Sequence, residues 1–308
     1  MSTSVIFESR YKNRNAVTIR NHALQFQFIP ESGGKLASAV DLQTGREFML
    51  QRDGDIYLTQ PYDGVYVQGE CSGFDDMFPT IDQCTYERFP WKGTPIPDHG
   101  EVWSLPWDAA VQGDSIYMKV NGVRLPYVLE KKAAFTEETT LRVDYRLTNP
   151  TPFALDFIWA AHVMIPAEEG AQIVLPDSRD QAVCIFSKSG RLGRYGSEFR
   201  WQRQRIDRIR PKNVGDFEKY YFREPEEGEN WCAIRYPGGN ELRLSLPGAT
   251  VPYLGVLSNE GGWEGLYHVI LEPCTATMDR LEAASLYQTL SRVDPYSTID
   301  WHLDLTIT

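Results

Sequence analysis

His162 is the only polar residue in the stretch Phe157–Ile165, which predicts an imidazole carried on a buried strand. Taking a polar ring out of water without a partner costs about 1–3 kcal/mol on mutational scales. Such a ring therefore either has a hydrogen-bond partner in the core or faces a cleft that uses it. A second stretch, Pro97–Trp107, concentrates His99, two carboxylates (Asp98 and Glu101) and two indoles (Trp103 and Trp107). Its prolines and Gly100 favour a loop that presents side chains, with a hydrogen-bonded structural turn as the alternative. A third, Tyr267–Pro273, reads as an apolar strand ending in Glu272 just before a proline, a carboxylate emerging either into solvent or at the mouth of a cleft. Imidazoles and carboxylates exchange protons near neutral pH, so proton transfer is the chemistry these stretches would support if they meet.

The elements that would have to bring them together read as β almost throughout. Leu141, Val143, Tyr145 and Leu147 alternate with Arg142, Asp144 and Arg146, the period-two pattern of a strand buried on one face. Ile299, Trp301, Leu303, Leu305 and Ile307 repeat it at the C-terminus, leaving His302 on the polar side between two aspartates, where a surface histidine is expected. Leu24, Phe26 and Phe28 alternate with Gln25 and Gln27, and both Gln43–Arg46 and Asn121–Gly122 carry hairpin-like turn signals. Only Asp279–Leu290 reads as helical, with Asp279 as the candidate cap. Many short strands without a linker, repeat or low-complexity tract predict an all-β chain, a single large antiparallel β-sandwich over residues 1–308.

Composition narrows the partners. The 308 residues suffice for a substantial core, and 42% hydrophobic with 24% charged residues is ordinary globular usage. There is no run of eighteen apolar residues for a membrane span, and residues 1–15 lack a signal-peptide apolar centre. Cysteines 71, 84, 184, 232 and 274 are odd in number and form no CxxC pair, which argues against a disulfide framework and a zinc site. Reduced thiols and a cytoplasmic location are expected. A net charge of −11 disfavours nucleic acid. The basic run Arg200, Arg203, Arg205, Arg208, Arg210 and Lys212 is interspersed with Glu198 and Asp207, the pattern of a solvated face or loop.

Taken in order, HGE-x-W-S-x-P-W at 99–107, W-A-A-H at 159–162 and L-E-P at 271–273 resemble the aldose 1-epimerases, or galactose mutarotases, and their galactose-mutarotase-like β-supersandwich relatives. The resemblance extends from about residue 20 to the end. It implies a large antiparallel β-supersandwich with its cleft on a curved sheet face, an isomerase activity on a free aldose, and no metal or other cofactor. It makes His162 the general acid, Glu272 the general base and His99 the group that orients the sugar. Exchange of α and β anomers would then proceed by loss of the C1 hydroxyl proton and protonation of the ring oxygen, followed by rotation and reclosure. Trp103 and Trp107 are candidates for framing the cleft, since an indole covers the apolar face of a pyranose. Asp75, Asp76 and Glu101 are candidates for its hydroxyls. The Gly73–Thr80 segment departs from the family, whose members carry an Asn/Arg-rich stretch with a substrate-contacting arginine there. Pro273-Cys274 departs from the usual continuation after the glutamate. The expected partner is a small sugar, with neither nucleic acid nor membrane, for a monomer or homodimer.

Three other readings compete. A hexose-6-phosphate 1-epimerase resembles the chain at the same His and Glu positions and would need arginines at the cleft, for which the 200–212 stretch is the source. Glycoside hydrolysis would pair Glu101 with Glu272 at about 5–9.5 Å and leaves His162 without a role. A carbohydrate-binding protein would keep the cleft for recognition alone. His22 and His268 receive no role, although alternation puts His268 on the side of Ile270 and Glu272.

Overall fold

The computed structural model describes residues 4–226 and 228–308, and most of its strands belong to two large antiparallel sheets. The larger sheet has eleven strands. Its central members, in spatial order, are Phe74–Met77, Ala160–Pro166, Tyr267–Cys274, Tyr253–Glu260 and Asp216–Phe222. The second sheet has eight, with Thr298–Ile307, Thr140–Thr148 and Val128–Glu137 adjacent at its centre.

Alternation sets which face each strand buries. Leu141, Val143, Tyr145 and Leu147 turn inward, and their register partners Leu305, Leu303, Trp301 and Ile299 do the same from the neighbouring strand. Tyr145 and Trp301 stack with ring centroids 5.2 Å apart, and Trp159, just before the Ala160–Pro166 strand of the larger sheet, meets the pair at 5.0 and 5.2 Å. At about 1.5–3 kcal/mol for each large apolar side chain fully buried, this inner layer holds the two sheets together. His302 lies on the opposite, partly solvated face. The turn before Arg46 forms with Gly45 at φ +72°, a left-handed value that suits glycine.

The helix is shorter than the pattern predicts. It spans Leu281–Leu286, and the residue before it, Arg280, offers no side-chain cap. Asp279 is not a cap because its carboxylate is turned to Lys219 and Tyr221 instead. Among the described residues no helix is long and apolar enough to cross a membrane. All five cysteines are free thiols.

Candidate active site

The five central strands of the larger sheet carry the site in rows, because residues opposite one another in register share a face. One row runs Asp75, His162, Glu272, Gly255, Tyr221. The next, one side-chain repeat away, runs Met164, Ile270, Leu257, Lys219, and the third contains Pro166, His268, Asn259 and Phe217. The intervening residues, such as Val163, Leu271 and Val256, pack into the sandwich and are fully buried. A cavity of about 320 Å³ lies over the row face, lined by Tyr66, His99, His162, Met164, Lys219, Trp263, His268 and their apolar neighbours. That volume is at the small end of the range for ligand pockets, roughly 300–1,000 Å³.

His162 and Glu272, predicted from stretches more than a hundred residues apart, are direct cross-strand neighbours. His162 Nε2 is 3.5 Å from Glu272 Oε1. The Glu272 carboxylate has no solvent exposure, and its other oxygen forms an ion pair with Lys219 Nζ at 3.0 Å. Neither oxygen is matched to a well-aligned hydrogen-bond donor among the described residues. His162 and Lys219 line the cavity and both contact Glu272, so the carboxylate sits just beneath the cavity floor. Gly255 makes room for it: a Cβ there would meet Tyr221 Cε1 at 2.7 Å and Glu272 Oε2 at 3.0 Å.

Electrostatics at this pair follow from burial. Burial, with the nearby His99 and Lys219, holds the His162 imidazole well below the usual histidine range. Burial also lifts the Glu272 carboxyl above its ordinary range, against the opposing pull of Lys219. Lys219 itself is disfavoured as an ammonium by burial, but Asp279 at 2.8 Å and Glu272 more than offset this and raise its pKa. For Asp279, Lys219 and the Tyr221 hydroxyl outweigh burial and hold the carboxyl low. The arrangement is a neutral imidazole facing a carboxylate of raised basicity, with a fixed cation behind it.

A second chain of contacts orients His162 from its other side. The Tyr66 hydroxyl lies 2.9 Å from Asp75 Oδ2 and 3.3 Å from His162 Nδ1, which leaves Nε2 directed at Glu272. Asp75 is fully buried and ion-paired with Lys35 at 2.9 Å. His99 stacks on Tyr66 with centroids 4.2 Å apart and lies 5.6 Å from the His162 ring. Its Nδ1 bonds Asp98 Oδ1 at 2.8 Å, while Asp98 Oδ2 accepts the Tyr66 N–H at 2.9 Å. His99 has φ +59°, and Gly100 at +74° follows with its backbone against Phe78. A left-handed histidine is an uncommon conformation, and here it turns the ring into the cavity.

The remaining sequence candidates lie outside the cavity. Asp76 points to the opposite face of its strand, where it binds Lys131 Nζ at 2.7 Å and accepts the Trp159 indole N–H at 3.0 Å. Glu101, also fully buried, accepts from the Tyr62 and Tyr127 hydroxyls and the Arg124 N–H. Trp103 and Trp107 are 8% and 4% exposed and donate their indole N–H groups to the backbone of Asp98 and Val102. Trp103 meets Tyr66 in a T-shaped contact with ring centroids 5.0 Å apart. From the basic run, Arg200 pairs with Asp180, and Arg210 with Asp216 and Glu260. None of that run's described residues lines the cavity, and the Arg203 side chain is outside the described part. A larger, open concavity of about 650 Å³ lies on the outer face of the eight-stranded sheet. Its charges are matched across strands, as in Arg146 with Asp300 at 2.8 Å, and among the described residues no histidine–carboxylate ion pair lines it.

Sequence reasoning passed over Lys219, Asp279, Tyr66 and Trp263. Lys219 had a signal: it shares strand parity with Phe217 and Tyr221, a charge on an otherwise aromatic face. Asp279 was read as a cap, Tyr66 opens the short 3-10 turn Tyr66–Gln68, and Trp263 lies in a turn, so no periodicity marks either aromatic.

No protein-family model matches the chain, and no curated protein matches it. Solved structures do. A galactose mutarotase-like protein from Clostridium acetobutylicum superposes with a TM-score of 0.71 at 12% identity, covering 99% of this chain and 98% of that one. A Klebsiella pneumoniae protein assigned provisionally to the aldose 1-epimerases gives 0.71 at 12% identity, covering 99% and 87%. A galactose mutarotase-like protein from Lactobacillus casei gives 0.67 at 14% identity, covering 95% and 100%. Likeness at such identities speaks to architecture, and together with the two antiparallel sheets it shows that this chain has the galactose-mutarotase-like β-sandwich fold.

Proposed function

We propose that the protein is an aldose 1-epimerase, interconverting the α and β anomers of a sugar by acid–base ring opening. The observation that carries this reading is the His162 Nε2 to Glu272 Oε1 approach of 3.5 Å beside a small cavity. Glu272 removes the proton from the C1 hydroxyl while His162 protonates the ring oxygen; rotation about C1–C2 and reclosure run the transfers backward and restore both groups. A carboxyl lifted by burial is a stronger base than an exposed one; the imidazolium form of His162, which burial disfavours, is correspondingly a stronger acid, so His162 takes up a proton before it gives one to the ring oxygen. Lys219 has two carboxylate partners, so it can rest on Asp279 while the sugar hydroxyl takes its place at Glu272 Oε2. His99 faces the sugar from the Tyr66 side, and Trp263 and Phe217 supply apolar surface for the ring. Asp75 acts through Tyr66 rather than on the sugar, and Asp76, Glu101, Trp103 and Trp107 are scaffold.

Polarimetry on freshly dissolved α-D-glucose and α-D-galactose tests the proposal. Catalytic amounts of protein should speed equilibration, and Glu272→Gln or His162→Asn should each abolish the effect. Sugar binding without acceleration would favour a carbohydrate-binding protein instead.

A further inference from the structure

The cavity extends from the acid–base pair in one direction only. On one side of His162 and Glu272 the next row of the same face is Ala160 and Cys274, both fully buried, and neither lines the cavity. On the other side the floor continues over Met164, Ile270 and Leu257, cross-strand neighbours in one row. It ends at Phe217 and Trp263, whose ring centroids are 6.3 Å apart. A sugar ring held at the pair therefore lies over this second row.

The reaction fixes which part of the sugar meets it. The ring oxygen that His162 protonates is bonded to C5 as well as to C1. A hydrogen bond of about 2.8 Å from Nε2 to that oxygen brings C5 and its exocyclic carbon beside Met164, about 6.8 Å farther along the strand. What meets that carbon is aliphatic. Met164, Ile270 and Leu257 carry no side-chain N–H or O–H, and the Met164 sulfur already faces the Tyr66 hydroxyl at 3.7 Å.

The polar groups around the patch are committed elsewhere. Lys219, at the end of the same row, is held by Glu272 and Asp279. In the third row the Asn259 amide donates to the Trp263 carbonyl and accepts its N–H, at 3.1 Å each, and His268 is 1% exposed. A primary hydroxyl laid on Met164, Ile270 and Leu257 gives up its water partners without gaining one from them. A methyl group in the same place buries apolar surface instead.

We propose that Met164, Ile270 and Leu257 form a specificity patch for a methyl group on C5, so that the preferred substrate is a 6-deoxyaldose. This rests on the reading of His162 and Glu272 as acid and base at the anomeric centre. Hexoses with a hydroxymethyl group are slower substrates, and pentoses, with only hydrogen on C5, fall between.

Saturation-transfer NMR reads anomer exchange in matched sugars. D-quinovose, D-glucose and D-xylose differ only in carrying methyl, hydroxymethyl or hydrogen at C5, and D-fucose, D-galactose and L-arabinose repeat the series with C4 inverted. In at least one series kcat/KM should be about ten- to hundredfold higher for the methyl sugar than for its hydroxymethyl counterpart. Leu257→Gln and Ile270→Thr, which set a hydrogen-bonding group on the patch, should each bring that ratio toward one. Because the ratio compares two sugars on one preparation, loss of folded protein cancels from it, and the wild-type ratio decides alone should neither variant fold. A wild-type ratio of one or below in both series, or a ratio that both folded variants leave unmoved, would overturn the proposal. Calorimetric titration with the same sugars separates the two readings. Tighter binding of the methyl sugars without anomer exchange would uphold the patch and overturn the epimerase reading, whereas exchange at equal kcat/KM for methyl and hydroxymethyl sugars would do the reverse.

Discussion

Replacing Lys219 by Gln removes a cation in contact with both Glu272 and Asp279 while keeping a side chain of similar length. In the structure its ammonium lies 3.0 Å from Glu272 Oε2 and 2.8 Å from Asp279 Oδ1. Unit charges 3.0 Å apart attract by about 5–6 kcal/mol at an effective dielectric near 20. Breaking a buried pair of this kind costs about 3–5 kcal/mol, because the remaining charge is left without a partner. Part of that cost is avoided if Glu272 takes up a proton. Burial already lifts its pKa and Lys219 is the first influence opposing the lift, so the variant's Glu272 titrates higher still. A base works only when ionised, so the acidic limb of the pH–rate profile must move to higher pH, with the rate at pH 7 reduced and partly recovered in alkali. Polarimetric rates from pH 5 to 9 on wild type and Lys219→Gln, with thermal melts beside them, measure both effects. An acidic limb that stays in place or moves lower, or a melting temperature equal to wild type, would refute the role given to Lys219.

Three further outcomes follow from the same geometry. Gly255→Ala places a methyl 3.0 Å from Glu272 Oε2 and 2.7 Å from Tyr221; it should cost about 1–3 kcal/mol of stability by overpacking and on the order of 10²-fold in kcat by displacing the carboxylate, and unchanged kinetics would contradict it. Tyr66→Phe removes the hydroxyl between Asp75 and His162 Nδ1 and should lower kcat about tenfold with KM unchanged, a change confined to KM counting against the positioning role. His268 is held at about 4 by burial and Arg52, below an unfolded value near 6.5. Because the unfolded chain then binds more protons, the stability present above pH 6.5 is lost as pH falls toward 4, by about 3 kcal/mol. Denaturant midpoints at pH 7 and 4.5 should show a loss that is smaller in His268→Gln than in wild type by an amount of that order, the remainder coming from groups such as the buried His162, and equal losses would remove His268 as a source.

What the sequence revealed and what it hid divide along physical lines. Strand alternation is local, so the inward rows at 141–147 and 299–307 could be read directly. The pairing of His162 with Glu272 is not local; the strands marked each as a polar group on an apolar stretch, but their pairing came from the resemblance of 99–107, 159–162 and 271–273 to the aldose 1-epimerases. Asp75 and Asp76 show the limit of adjacency, because neighbours on a strand face opposite ways: one stands behind the site and the other is locked to Lys131 inside the sandwich. Glu101 and the two indoles of its loop stood in a chemically rich stretch, but only the fold shows that their polar atoms are consumed by scaffold hydrogen bonds. Tyr66 was invisible because it opens a single 3-10 turn, Tyr66–Gln68, too short for periodicity to mark, and acquires its partners from tertiary packing.

The most direct test is anomer exchange in D-glucose and glucose 6-phosphate, followed by saturation-transfer NMR on wild type, His162→Asn and Glu272→Gln. If one proton donor and one acceptor act on the same anomeric centre, wild type accelerates exchange, and each single substitution removes at least about 10²-fold of that acceleration. Wild-type exchange at the spontaneous rate in both sugars, or acceleration that survives either substitution, would contradict the account.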